Sequence, residues 1–445
     1  MFDLITTVRE FVSNNSIAFS AGILILAYIF IAWEKISKVT IALLGAGLTI
    51  ILGLVSQSKG HDGIDPNYFI NFVDFNVIFL LVSMMIIVHI ASRSGVFSWI
   101  ANELLKLTKG HPVKVFFAMS AFTAFTSAFL DNVTTVILML PIIFVITKKF
   151  DMNPVPLLIA TIMSSNIGGT ATLIGDPPNI IIGSRAGFSF MDFLNELTII
   201  VIIIYFVCMG LLLFIFRKTF VATPEKMAEV ANIDNSKTIT DKCLMIRSMT
   251  VLGLVILGFV THDITGIETY LCAMLGASFL LIFETPDNIL KDVEWNTIFF
   301  FIGLFIIIGG LEASGGIKMM AEGLIDITNG NESLTAMIIL WGSGILSGII
   351  DNIPYTATMA PLIQQIQVIS GPEAAHPLWW CLSLGACLGG NMTIIGAAAN
   401  VIVSETAAAK GVKIPFLYYL KYGVLITFIS LILSSAYIYI RFLMN

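Results

Sequence analysis

Residues 164–179 read SSNIGGTATLIGDPPN, and they place a carboxylate, Asp176, and two prolines inside a stretch otherwise apolar enough for a bilayer. Residues 388–400 read LGGNMTIIGAAAN, with Gly396 and Asn400 standing where Gly175 and Asn179 stood. A helix breaker recurring at one spacing in two halves of a chain points to an internal repeat with a polar centre. Other landmarks hold the register. VDFNVIF at 73–79 matches VEWNTIF at 293–299, Ser94-Gly95 matches Ser314-Gly315, Asp131-Asn132 matches Asp351-Asn352, and Pro141 matches Pro361, all 220 residues apart. The paired breaks stand 221 apart, so one inserted residue separates them from the earlier landmarks.

Of the 445 residues, 57% are hydrophobic and 12% charged, and mean hydropathy is +0.94. Apolar runs at 17–33, 39–55, 196–216, 247–262 and 416–440 match the length needed to cross about 30 Å of hydrocarbon. The expected fold class is an all-α polytopic membrane protein. The first 15 residues lack the pattern of a removable signal peptide, so the first helix is expected to direct its own insertion. Five scattered cysteines make no CxxC or similar cluster, so no structural metal site is expected.

The repeat divides the chain into 1–216, a polar cytoplasmic linker at 217–246, and 247–445. Each half reads as three spanning helices, a bipartite apolar segment with Asp-Asn at its middle, a broken segment and a final span. In the first half the bipartite arms are 113–130 and 133–147. Arms this short predict a re-entrant hairpin, giving five crossings per half and hence two inverted repeats; arms that both span fully are the alternative. With the N-terminus outside, the cytoplasmic segments 34–38, 92–114, 148–154, 217–247, 284–295 and 405–415 hold 17 of the 23 Lys and Arg. Outside segments hold Arg9, Lys59, Arg185, Lys318 and Arg441, which agrees with the positive-inside rule and puts both termini outside.

Inverted repeats with interrupted helices suit a secondary transporter with its site at the midplane. The breaks are bracketed by Gly168, Gly169, Gly175, Pro177 and Pro178 in one half and by Gly389, Gly390 and Gly396 in the other. Proline removes a backbone donor and frees carbonyls to take other partners. The same glycines could instead serve close helix packing. Asp131, Asp176 and Asp351 are the leading site candidates, since an aspartate at mid-membrane costs about 2.5–3.5 kcal/mol. Around them the sequence offers Asn132, Thr134 and Thr135 on one hairpin and Asn352, Tyr355, Thr356 and Thr358 on the other. The broken helices add Asn166, Thr170, Thr172, Asn179, Asn391, Thr393 and Asn400. Such hard oxygen donors suit Na⁺, with Asp131, Asn132, Asp351 and Asn352 as its expected ligands, or an oxyacid, while the carboxylates can carry protons. Each aspartate could equally be a cap or turn residue. No Lys or Arg lies in the tips or breaks, which favours a cation, proton or neutral oxyacid. Glu312 and His89 are secondary proton candidates. There is no GxxxxGK[ST] or HExxH motif, and Trp341 spoils a GxSG, so an enzyme is not expected. Two matched sites suit alternating access better than a channel.

DNVTTVILMLPI, SSNIGGTATLIGDPPNIIIGS, SGIIDNIPYTATMAPLI and GACLGGNMTIIGAAANV resemble the signatures of the ArsB/NhaD group of the ion transporter superfamily, in the branch containing the melanocyte P protein. The resemblance runs from about residue 40 to 440. It implies opposed hairpins in a transport domain carried by a scaffold, a homodimer with elevator motion, and a small inorganic ion as substrate, coupled to H⁺ or Na⁺, in a prokaryotic plasma membrane with no organic cofactor and no nucleic-acid partner. Arsenite or antimonite efflux and Na⁺/H⁺ exchange are the implied activities. More distant dicarboxylate carriers use Ser-Asn-Thr at the tips, where this chain has Asp131-Asn132 and Asp351-Asn352, a departure that weighs against Na⁺-coupled di- or tricarboxylate uptake. An anion channel is the alternative of another class.

Overall fold

Apolar runs with no water to satisfy their backbone must close their hydrogen bonds internally, and the described segments do so as helices. The computed structural model describes residues 11–33, 35–55, 68–232 and 234–444, so Arg9 and Lys59 of the loop count lie outside the described residues. The main helices of the first half are α1 (Ser16–Trp33), α2 (Lys38–Ile51), α3 (Phe75–Arg93), α4 (Val96–Leu107), α5 (Pro112–Phe129), α6 (Asn132–Phe150), α7 (Val155–Gly169), α8 (Pro177–Ala186) and α9 (Phe190–Phe216). After α10 (Pro224–Ala231) the second half contributes α11 (Lys242–Val260), α12 (Thr269–Leu281), α13 (Trp295–Ala313), α14 (Gly316–Thr328) and α15 (Glu332–Ile350). It ends with α16 (Asn352–Ser370), α17 (Pro372–Gly389), α18 (Ala398–Ala409) and α19 (Phe416–Ile438). Each helix α1–α9 thus has a mate ten numbers later. The starts of α3, α4 and α6 lie 220 residues before those of α13, α14 and α16, and the start of α8 lies 221 before that of α18. Among the described residues nine helices are long and apolar enough to cross a membrane.

The halves interleave. Helix α2 packs on α13 while its mate α12 packs on α3; α8 packs on α16 while α18 packs on α6. At the centre run α7, buried over its whole length, and α17, buried from Pro377 to Gly389. Both ends of the first hairpin meet the linker. A side chain at Gly110, before α5, would strike the backbone of Met227, and Lys226 reaches Asp151, after α6, at 3.3 Å. The second hairpin has its far end at the opposite face, where the Gln364 amide donates to the carbonyl of Arg185 at 2.8 Å. Opposed entry makes the repeats inverted.

Three expectations need correction. The second hairpin arm is 19 residues, about 28 Å, longer than the expected 133–147, because α6 begins at Asn132 and runs to Phe150; the first, Pro112–Phe129, keeps its expected length of 18, and both are long and apolar enough to cross a membrane. Helix α2 stops at Ile51, where the apolar run 39–55 suggested a longer span, because the chain turns at Leu52–Val55 with Gly53 at φ +74°. The stretch 92–114 contains α4, an amphipathic helix that buries Val96, Phe97, Ala101 and Leu105; Gly95 starts it at φ +81°, and its mate Gly315 starts α14 at +83°. The linker is also more than a tether. Asn235 donates to the Trp99 carbonyl at 2.9 Å and to Glu103 at 2.8 Å, fixing the linker to α4.

Candidate functional site

The site grows from the two breaks. A Cβ on Gly168 would strike the backbone of Ala124, and one on Gly389 that of Gly344, so the first glycine of each pair serves close packing of α7 on α5 and α17 on α15. Gly169 and Gly175 face each other across the first break, a Cβ on Gly169 meeting the Gly175 carbonyl at 2.8 Å. Gly396 approaches Gly390 likewise, at 2.8 Å. The freed carbonyls find an amide. Asn179 Nδ2 donates to the carbonyls of Thr170 at 3.1 Å and Thr172 at 2.9 Å, and Asn400 Nδ2 donates to Gly390 at 2.7 Å and Thr393 at 2.9 Å. The threonines then tie each break to its hairpin: Thr172 Oγ1 donates to the Ala128 carbonyl, and Thr393 Oγ1 to that of Gly348 at 2.6 Å. These four side chains, expected as ligands, hold the breaks open.

Between the breaks the Asn166 amide reaches from one half to the other. Asn166 Nδ2 donates to Asn391 Oδ1 at 2.9 Å and to Asn400 Oδ1 at 3.0 Å, and Asn132 Nδ2 stands 3.4 Å from Asn166 Oδ1. Asn391 Nδ2 and Thr135 Oγ1 are buried without a protein partner. The hydroxyls of Thr170 and Thr356 bond back to the carbonyls of Asn166 and Asn352, each at 2.8 Å, as helical threonines often do.

The three aspartates differ. Asp131 caps α6, accepting from Thr134 N at 2.8 Å and Thr134 Oγ1 at 2.6 Å. Asp351 caps α16, accepting from Ile353 N at 3.1 Å, and holds the left-handed φ of +104° that glycine usually takes. Asp176 stands at the N-cap of α8 yet makes no capping bond, since Pro177 and Pro178 carry no N–H and the Asn179 N–H goes to the Asp176 backbone carbonyl at 2.9 Å. Its carboxylate accepts instead from Asn352 Nδ2, at 3.2 and 3.3 Å. The prolines thus keep a buried carboxylate out of the helix cap and available to the cavity.

A cation stands closer than the sequence suggested. Lys38, at the start of α2, places Nζ 3.3 Å from Asp351 Oδ2 and 5.2 Å from the Phe300 ring centre. The expectation of a carboxylate site without a nearby cation is corrected: hairpin and scaffold meet where linear spacing hides it. A cavity of about 700 Å³ opens beside this pair, lined by Lys38, Lys291, Glu294, Asp351 and Glu405, on the face the loop charges assign to the cytoplasm. A smaller recess continues inward between Asp131, Asn132, Asp176, Glu294 and Asn352. Asp351 therefore lines the cavity and Asp131, Asn132 and Asn352 the recess, and no three His, Cys, Asp or Glu among the described residues form a metal cage.

Sequence reasoning missed Lys38, Glu294, Glu405 and Tyr28, whose hydroxyl donates to the Pro354 carbonyl at 2.6 Å and touches Thr358 Oγ1. The repeat VDFN/VEWN carried a signal for Glu294, since it aligns an acid with Asp74. Tyr355 bonds Ser343 at 3.3 Å. His89 lies 2.9 Å from Asp292, and Glu312 lies 3.9 Å from Arg185 on the other face; neither lines the cavity.

Known proteins are similar to this chain over most of its length. A model of the family described as citrate transporter, CitMHS, matches residues 28–385. A 46 kDa membrane protein of Mycobacterium leprae is 39% identical over 425 residues, 95% of this chain and 98% of that one. An uncharacterized transporter of Mycobacterium tuberculosis is 38% identical over 423 residues, 94% of this chain and 97% of its own length. The human P protein is 29% identical over 507 residues, 96% of this chain, which spans 60% of the P protein. The crystal structure of the Alcanivorax borkumensis YdaH transporter, described as having an unusual topology, shares the fold with a TM-score of 0.56, at 12% identity, covering 94% of this chain and 98% of that one. The motifs pointed to the P protein branch, and that likeness is found; the family stands at the broader level. The chain is a multi-pass membrane protein of the CitMHS citrate transporter family.

Proposed function

We propose that the protein is a secondary active transporter of an inorganic ion, working by proton-coupled antiport: Na⁺/H⁺ exchange, or the arsenite or antimonite efflux of the ArsB/NhaD group. The observation that carries this reading is the charge of the cavity and its recess. Five carboxylates, Asp131, Asp176, Glu294, Asp351 and Glu405, face two lysines, Lys38 and Lys291. A cavity of that sign attracts cations and protons. In this reading Asp176 and Asn352 bind the coupling ion, Asp131 and Asp351 set the field around it, and the paired breaks supply a polar midplane. The protein works as a homodimer with elevator motion in a prokaryotic plasma membrane, both termini outside.

A second reading, Na⁺-coupled transport of a citrate-like carboxylate, is favoured by the family description and by Lys38, which with the N-termini of α8 and α18 offers an anion a positive end. Proteoliposomes with an imposed proton gradient and an internal pH dye separate the two. Collapse of the gradient by Na⁺, Li⁺ or arsenite, abolished in Asp176→Asn, supports antiport. Uptake of labelled citrate that requires Na⁺, with no response to the inorganic ions alone, overturns it in favour of the carboxylate carrier; a chloride conductance without exchange would mean a channel.

A further inference from the structure

The two faces are mates, and they stand in different states. On the outer face Asp74, before α3, accepts a 2.6 Å hydrogen bond from Ser184 of α8. Shifted by the repeat offsets of 220 and 221, these residues become Glu294, before α13, and Glu405 of α18. Of the outer mates Ser184 lines a recess of about 190 Å³, whereas both inner mates line the cavity of about 700 Å³. The outer mouth is therefore closed by a carboxylate on a hydroxyl. When the inner mouth closes by the same movement, the equivalent contact is a carboxylate on a carboxylate.

Resting on the alternating access proposed above, we infer that Glu294 and Glu405 form a proton-dependent lock on the inner mouth: it closes when the pair shares one proton and stays open when both are ionised. Two carboxylates at hydrogen-bond distance cannot both hold their charge, and a single shared proton converts repulsion into an O–H···O⁻ bond. The proton comes from the cytoplasmic solution in the open cavity and returns there when the mouth reopens. Six charged groups line the cavity and recess around Glu294: Lys38 of α2, Lys291 of the loop before α13, Asp131 and Asp351 at the tips, Asp176 at the first break, and Glu405 of α18. Lys38 pairs with Asp351 at 3.3 Å while its charge also reaches Glu294, and Lys291 lines the same cavity, so these lysines compete with the proton for the glutamate pair. Glu294 immediately precedes the span Trp295–Ala313, and burial, followed by the negative charge of Asp131, pushes it up to about 7.

The test reads the two mouths separately, with a membrane-impermeant maleimide on Val401→Cys at the inner cavity and on its repeat mate Ile180→Cys at the outer recess. Both reporters are made in a Cys243→Ser, Cys272→Ser background and checked by size-exclusion profile. Lowering pH should slow inner labelling and raise outer labelling, with the ratio changing by about tenfold per pH unit at the steepest point, as one bound proton requires. Glu405→Gln should abolish that dependence, and Glu405→Ser, which restores the outer chemistry, should hold the inner mouth closed at every pH. An unchanged pH slope in Glu405→Gln and in Glu294→Gln overturns the lock. Loss of the slope in Lys38→Gln, with both glutamates intact, assigns the neutralisation to Lys38 and also overturns it. If the outer reporter never labels under any condition, alternating access itself fails, an outcome distinct from a slope that is merely pH-independent.

Discussion

The first break, 169–179, and the second, 390–400, are built from the same parts and hold different contents. Each is spanned by one asparagine amide, each is tied to its hairpin by one threonine, and each needs glycine where the two sides approach. The first then carries Asp-Pro-Pro before its second half-helix, and the second carries Ala397-Ala398-Ala399. What the repeats share is the construction of a stable interruption in a membrane helix. What they do not share, a carboxylate whose cap donors have been removed by proline, is where ion chemistry can sit.

Swapping that content is the strongest way to break the comparison. Asp176→Ala, which makes the first break resemble the second, should lower coupled transport at least a hundredfold while leaving thermal stability in detergent within a few degrees of wild type. Asn352, the donor facing Asp176, loses its partner in this variant, and Asp176→Asn restores the shape without the charge. A variant that still transports would show that the asymmetry of the breaks is not the source of coupling.

Asn179→Ala and Asn400→Ala come next, and here the breaks should behave alike. Each substitution strips partners from at least two buried carbonyls, at about 1–3 kcal/mol for each group left unsatisfied. Both variants should lose several degrees in melting temperature and much of their yield. Asn179 should cost more, because its Oδ1 also accepts from Ser383 at 2.6 Å, whereas Asn400 Oδ1 accepts from Asn166 at 3.0 Å. A stable Asn400→Ala protein with lost transport would turn that residue from a clip into a ligand.

The membrane class, the repeat offset and the position of both breaks were legible in the sequence because length, hydropathy and glycine spacing are local properties. The assignment of oxygens was not. Thr172, Thr393, Asn179 and Asn400 look like ligands when read as polar residues in an apolar run, but an interrupted helix exposes carbonyls, and the nearest side-chain donors go to them first. Lys38 was legible as a basic residue at the cytoplasmic edge, yet its meeting with Asp351 depends on α2 crossing to pack on α13 of the other half, which no spacing along the chain encodes. The same crossing brings Glu294 beside the first hairpin tip.

The smallest expected effect is the most discriminating about the threonines. Thr172→Val and Thr393→Val keep the shape of each side chain and remove one hydroxyl donor to a hairpin carbonyl, that of Ala128 or of Gly348. If both threonines only tie break to hairpin, each variant should lose about 1 kcal/mol of stability, the two losses agreeing within about 0.5 kcal/mol, since the bond, the burial and the geometry recur. Transport by the two variants should then fall by no more than about threefold. Thr172 is close in sequence to Asp176, whereas Thr393 has Ala397 at the matching place. A Thr172→Val protein that is as stable as Thr393→Val but transports tenfold less would place the Thr172 hydroxyl in the ion's path, and the division between shared construction and unshared chemistry would have to move one turn closer to the break.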